Sequence, residues 1–106
     1  VMDVKGTGAA SFLMDLEEGY AERMGGGMFV VFQKGAGRSA EDSVVVCSED
    51  LSTLETVPSL SVELEDGRAE YAGAGYWCLF QTNSLNGKPQ SVVLGANDVT
   101  AMLAAA

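Results

Sequence analysis

Histidine is absent from this chain of 106 residues. Its absence removes the usual general base, the usual metal ligand and any Ser-His pair. Cysteine is nearly absent. Cys47 and Cys78 stand far apart, without companions at zinc spacing, and two cannot make a disulfide framework. Both lie in apolar runs and read as buried free thiols. Their scarcity fits a reducing compartment. No basic-then-apolar leader opens the chain, so the expected location is cytoplasmic. No apolar run approaches the length of a membrane span. Bases are also few: six Lys and Arg stand against 15 acids, for a formal net charge of −9. Binding to phosphate backbones needs clustered Lys and Arg, so the bulk charge disfavours it.

What is present is an ordinary apolar content of 47%, which argues for a packed domain rather than disorder. The length suits one domain spanning 1–106. The charge is uneven. Glu41, Asp42, Glu49, Asp50, Glu55, Glu63, Glu65, Asp66 and Glu70 share their stretch with one base, Arg68. The remainder is close to neutral, so residues 41–70 read as an acidic insertion.

Along the chain, 9–24 reads as a helix with Phe12, Leu16, Tyr20 and Met24 on one stripe. Ser11 is a candidate N-cap, and Gly25 to Gly27 form the stop. Residues 28–33 read as a strand with apolar residues on both faces, hence central and covered. Ser43 to Cys47 is a second strand by its run of valines. Residues 48–58 are loop-like, with a helical turn near Leu51 to Leu54. Leu60 to Leu64 alternates as a half-buried strand, and Asp66-Gly67 turns it into 68–72. Residues 75–82 and 90–94 form a hairpin around Asn86-Gly87. Asn97 or Asp98 caps a last helix carrying Val99, Met102 and Leu103 inward. No internal repeat is evident. The expected fold is α+β, an antiparallel sheet with both terminal helices packed on one face.

Tests for chemistry return little. Glu41-Asp42 and Glu49-Asp50 lack the spaced oxygens of a calcium loop and read as solvated charge. The glycine triplet follows a helix pattern, where a phosphate loop would follow a strand. Tyr71, Tyr76, Trp77 and Phe80 could offer a base-stacking platform. Core packing is favoured for Phe80, while Trp77 is evenly balanced. The expectation is a non-enzymatic protein with no catalytic residue, metal or cofactor.

Two blocks carry a family resemblance. The first is Phe12-Leu13-Met14-Asp15-Leu16 followed by Gly25 to Lys34. The second is Cys78-Leu79-Phe80-Gln81-Thr82, then Gly87-Lys88, Ser91-Val92-Val93 and Gly95-Ala96-Asn97-Asp98. In order and spacing they resemble the larger Alu-binding subunit of the signal recognition particle. The resemblance implies a helix-strand-strand-strand-helix fold. It also implies a heterodimer with the smaller homologous subunit, or self-association without it. The implied ligand is Alu-domain RNA, with the ribosome engaged indirectly, no membrane contact, and a role in protein targeting and elongation arrest. The RNA-binding residues it points to are Lys34, Arg38 and Lys88, with Arg68 a lesser candidate. Where the family has cations this chain has Gln81 and Asn97. The charge supports another reading: an acidic protein-binding adaptor, or an inhibitor that mimics nucleic acid.

Overall fold

The structure is a computed structural model, and residues 12–34, 40–56, 60–82 and 85–106 are described. Among them the order is four strands and a helix, given twice. The first unit holds β1 (Phe12–Asp15), β2 (Tyr20–Gly25), β3 (Met28–Gln33), β4 (Asp42–Cys47) and α1 (Ser48–Thr56). The second holds β5 (Ser61–Glu63), β6 (Arg68–Gly73), β7 (Tyr76–Thr82), β8 (Pro89–Gly95) and α2 (Ala96–Ala105). Each set of strands is a four-stranded antiparallel meander in chain order. The domain is α+β as expected, with two antiparallel sheets and two helices in contact with each other. Among the described residues the single sheet and the opening helix are not found.

The expectation that no repeat exists is corrected by the register. Adding 48 to a residue number converts one sheet into the other: Tyr20 pairs Phe32 as Arg68 pairs Phe80, and Phe29 pairs Val46 as Trp77 pairs Leu94. Both second strands carry a register shift near their ends, between Arg23 and Gly25 and between Tyr71 and Gly73. The sequence correspondence is thin but consistent: Gly19/Gly67, Ala21/Ala69, Gly25/Gly73, Phe32/Phe80, Gln33/Gln81, Val44/Val92 and Asp50/Asp98. Residues 41–70 therefore supply β4, α1, β5 and the start of β6, with Val44, Val46, Leu51 and Leu54 in the core.

The described part of the expected helix, 12–24, is a hairpin instead. A four-residue spacing of apolar side chains fits a helix stripe, but four is also a multiple of the strand period of two. Gly19 decides between them. It sits at φ +73°, and the Leu16 N–H donates to its carbonyl across the turn at 3.1 Å. A Cβ on Gly19 would collide with the Phe32 carbonyl, as one on Gly67 (φ +94°) would with that of Phe80. Other expectations shift in extent. Residues 48–56 form a full helix rather than a loop with one turn. The last helix starts at Ala96 with Gly95 as its N-cap, two residues before Asn97 and three before Asp98, the expected caps. Asp98 lies inside it, where its Oδ2 accepts from the Gly95 N–H at 3.0 Å.

One face of each sheet is buried. Ala21, Phe29, Val31, Val44 and Val46 line the first; Ala69, Trp77, Leu79, Val92 and Leu94 line the second. Leu51, Leu54, Val99 and Met102 from the helices join them in one cluster. Removing this apolar surface from water is the main driving term, at roughly 25 cal/mol per Å².

Among the described residues the last strand of each sheet, β4 or β8, pairs no further strand on its outer edge, and a glutamine from the other unit bonds there instead. The buried Gln33 donates from Nε2 to the carbonyls of Glu18 at 2.9 Å and Val93 at 2.6 Å. Its Oε1 accepts from the Val93 N–H at 2.7 Å. Gln81 does the same to Val45: the Val45 N–H donates to Oε1 at 2.9 Å, and Nε2 donates to the Val45 and Asp66 carbonyls. A primary amide offers the donor and acceptor of a peptide group, so each glutamine behaves as one peptide unit of a missing strand. Nearby, the Ser91 N–H donates to Asp42 Oδ2 at 3.1 Å and the Ser43 N–H to Gln90 Oε1 at 3.0 Å. Each helix also clamps the opposite hairpin turn: the Glu17 N–H donates to Asp98 Oδ1 and the Glu65 N–H to Asp50 Oδ1, both at 3.1 Å.

Gln33→Leu and Gln81→Leu should each lower stability by about 3 kcal/mol in urea unfolding, because buried peptide groups lose partners worth about 1–3 kcal/mol apiece. Equal losses from the two variants are expected. Gly67→Ala should cost more than Gly73→Ala. Both glycines have positive φ, worth about 1–3 kcal/mol of strain, but only Gly67 has a carbonyl where the Cβ would go.

Candidate interaction surface

The face of each sheet turned away from the core is open among the described residues. Strand alternation makes it: with Phe29, Val31 and Gln33 inward, Met28, Val30 and Phe32 must point outward, and all three are half-buried. The expectation that this strand is covered on both faces is thereby corrected. Cross-strand register orders the outer face of the first sheet into rows. One row is Asp15, Tyr20, Phe32 and Ser43; the next is Leu13, Glu22, Val30 and Val45. Tyr20 and Phe32 stack at 5.0 Å with 22° between ring planes. Leu13 is 62% exposed and Val45 37%. The Tyr20 hydroxyl reaches Glu41 Oε1 at 3.5 Å. Burial first, then the Glu41 carboxylate, pushes this phenol upward.

The second sheet repeats the plan with other side chains. Its rows are Glu63, Arg68, Phe80 and Ser91, then Ser61, Glu70, Cys78 and Val93. Arg68 lies over the Phe80 ring at 4.7 Å and donates from Nε to Glu70 Oε2 at 3.1 Å. This pair is half-exposed and contributes little to stability. Beside it runs an open groove of about 710 Å³ lined by Asp42, Glu63, Glu65, Arg68, Phe80 and Gln81 among others.

Two of the residues expected to touch RNA, Lys34 and Lys88, fall on connections between strands. Lys34 is exposed just after β3, and Lys88 is exposed just before β8. Arg38 lies outside the described residues. Arg68 is engaged by Glu70 and Phe80. The four aromatics do not form one platform. Trp77 is buried in the core with Tyr71 tilted against it at 5.1 Å, whereas Phe80 and Tyr76 lie on the outer face. The preference for Phe80 as the core residue is thus reversed. Gln81, which stands where the resembling family has a cation, is one of the two edge-sealing amides.

The ligand atoms of Cys47, Glu49 and Glu65 lie within 4.8 Å of one another. Burial pushes the Cys47 thiol upward, and hydrogen bonding to the Asp50 and Glu65 carboxylates adds to it. The thiol donates to Glu65 Oε1 at 3.4 Å. At neutral pH this is a protonated thiol beside acids, and metal binding would first require its proton to leave. No helix among the described residues is long and apolar enough to cross a membrane.

Comparison with known proteins returned no matching family model, no similar curated protein and no similar solved structure. The apolar run 28–33 marked the central strand of the outer face, though as one covered on both faces. Tyr20 and Glu22 were missed because they were placed on a helix.

A thiol held protonated and covered should react slowly. With Cys78→Ser leaving Cys47 alone, a disulfide reagent at pH 8 should label the native protein at least about tenfold more slowly than with Cys47→Ser. The two rates should converge in denaturant.

Proposed function

We propose that this protein is a non-enzymatic binding module for a cationic partner protein, engaged through the outer face of its first sheet. The observation that carries the reading is that face: an apolar centre of Tyr20, Phe32, Val30 and Val45, with Asp15, Glu22 and Glu41 around it. An apolar patch rimmed by charge of one sign is the usual form of a protein docking surface. The net charge of −9 steers cationic partners toward it and repels a second copy of the same chain.

The Alu-RNA reading is not the one we put forward. Its opening helix is replaced by the β1–β2 hairpin, and Lys34 and Lys88 belong to a chain with a net charge of −9. A phosphate-binding surface would need more cations than these, since each neutralised phosphate contributes separately.

The test is binding of a Lys/Arg-rich peptide by calorimetry at 50 mM and 200 mM salt. Binding should weaken at the higher salt. Asp15→Asn with Glu22→Gln should weaken it by about tenfold, whereas Glu18→Gln with Asp66→Asn, on the turns, should change it by less than about twofold. Equal effects from the two pairs would refute a localised face. A structured Alu-type RNA should show no mobility shift with micromolar protein.

A further inference from the structure

The docking face lies on the first sheet, yet its margin is held by the second. β4 ends the first sheet, and Ser43 and Val45 stand on its outer face beside Phe32 and Val30. Along an antiparallel strand, residues that exchange both backbone bonds with the neighbour alternate with residues that exchange none. Val45 gives its N–H, at 2.9 Å, and its carbonyl to the Gln81 amide, so toward β3 it belongs to the second kind. Side chains lie closer in such pairs, with Cα atoms about 4.5 Å apart, which sets Val45 against Val30 in the apolar centre of the face. Ser43 is anchored in the same way, its N–H donating to Gln90 Oε1 at 3.0 Å. Both residues that β4 contributes to the face are thus fixed by glutamines of the other half. The second face is held in mirror fashion, Val93 by Gln33 and Ser91 by Asp42.

Resting on the reading above, we infer that Gln81 is a positioning residue for binding of the cationic partner. It is buried, and it reaches the docking face only through the backbone of Val45. Its third bond, from Nε2 to the Asp66 carbonyl at 2.8 Å, fixes the plane of the amide. Without that amide, water has to reach the Val45 N–H and carbonyl, because polar groups do not stay buried without partners. Its entry parts Val45 from Val30 and breaks the apolar centre that a partner covers. Gln81 therefore acts on the apolar part of binding. Asp15 and Glu22 stand on β1 and β2, with β3 between them and β4, so the charged part is left as it was. Gln33 is equally buried and equally bonded, but it serves Val93 on the second face. The repeat thus places a control for Gln81 within the same chain.

The probe is acetyl-Lys-Val-Lys-Val-Lys-amide, which carries charge and apolar side chains together, titrated into the full chain by calorimetry at about 50 and about 200 mM salt. Gln81→Leu should weaken binding at least about fivefold, with the ratio of affinities at the two salt concentrations unchanged. Gln33→Leu, which loses as much stability, should change binding by less than about twofold. Amide hydrogen exchange in the free protein gives a readout that needs no partner. The Val45 amide should exchange at least about tenfold faster in Gln81→Leu, and the Val93 amide likewise in Gln33→Leu. If Gln81→Leu does not fold, Gln90→Leu releases only the Ser43 N–H and should weaken binding about two- to threefold. Equal weakening by Gln81→Leu and Gln33→Leu would overturn the positioning role and leave the docking face in place. Full affinity in Gln81→Leu, in Gln90→Leu where that variant stands in, or an unchanged Val45 amide would do the same. No binding of the peptide by the wild type, or weakening by Gln33→Leu alone, would overturn both.

Discussion

Two buried side-chain amides determine how the halves of this protein meet. The last strand of a sheet exposes unpaired N–H and C=O groups, and such an edge must be covered, charged or paired. Gln33 and Gln81 pair it crosswise, each reading a single residue of the opposite edge, Val93 and Val45. A third bond from each amide returns to the turn beside its own strand, at Glu18 or Asp66. The glutamine is therefore held on three sides, and the edge it serves cannot slip by one residue without breaking both bonds. Register between the sheets is set by polar geometry, while the apolar cluster beneath supplies most of the free energy.

The hairpin turns show the same division of labour. A glycine lets each turn press against the carbonyl of the third strand. The turn that follows from this close approach is then held by the aspartate at the start of the opposite helix. Each helix start thus serves two purposes: its aspartate lies where the helix dipole favours an anion, and it fastens a turn of the other half. With turns and edges secured from the inner side, the outer sheet faces are left to vary. They vary most where Tyr20 replaces Arg68.

Much of the strand content was legible because β-branched apolar runs, alternation at 60–64 and turn dipeptides act locally. The segments 28–33, 43–47, 60–64, 68–72, 75–82 and 90–94 are found within about two residues of expectation. The opening hairpin was not legible, since apolar residues four apart satisfy both periods and only the packing of Gly19 against Phe32 tells them apart. The repeat was hidden for a related reason. What the halves share is spacing of glycines, one glutamine and small core residues, whereas the apolar residues interchange freely, as Phe29 with Trp77 or Leu54 with Met102. The candidate surface could not be foreseen. Its residues come together only through cross-strand register, and the charge total of the chain does not say on which face the acids gather.

That both halves lie on one polypeptide has a bearing on specificity. Two identical subunits related by a twofold axis must present the same surface twice, so any change that tunes one copy alters the other. Here the relation is only approximate and the halves are covalently joined, which frees position 20 from position 68. The covalent link also keeps their ratio at one to one on dilution, so the stability of the pair is set without regard to protein concentration. A tandem arrangement of this kind can retain a symmetric skeleton while offering its surroundings a single, oriented side.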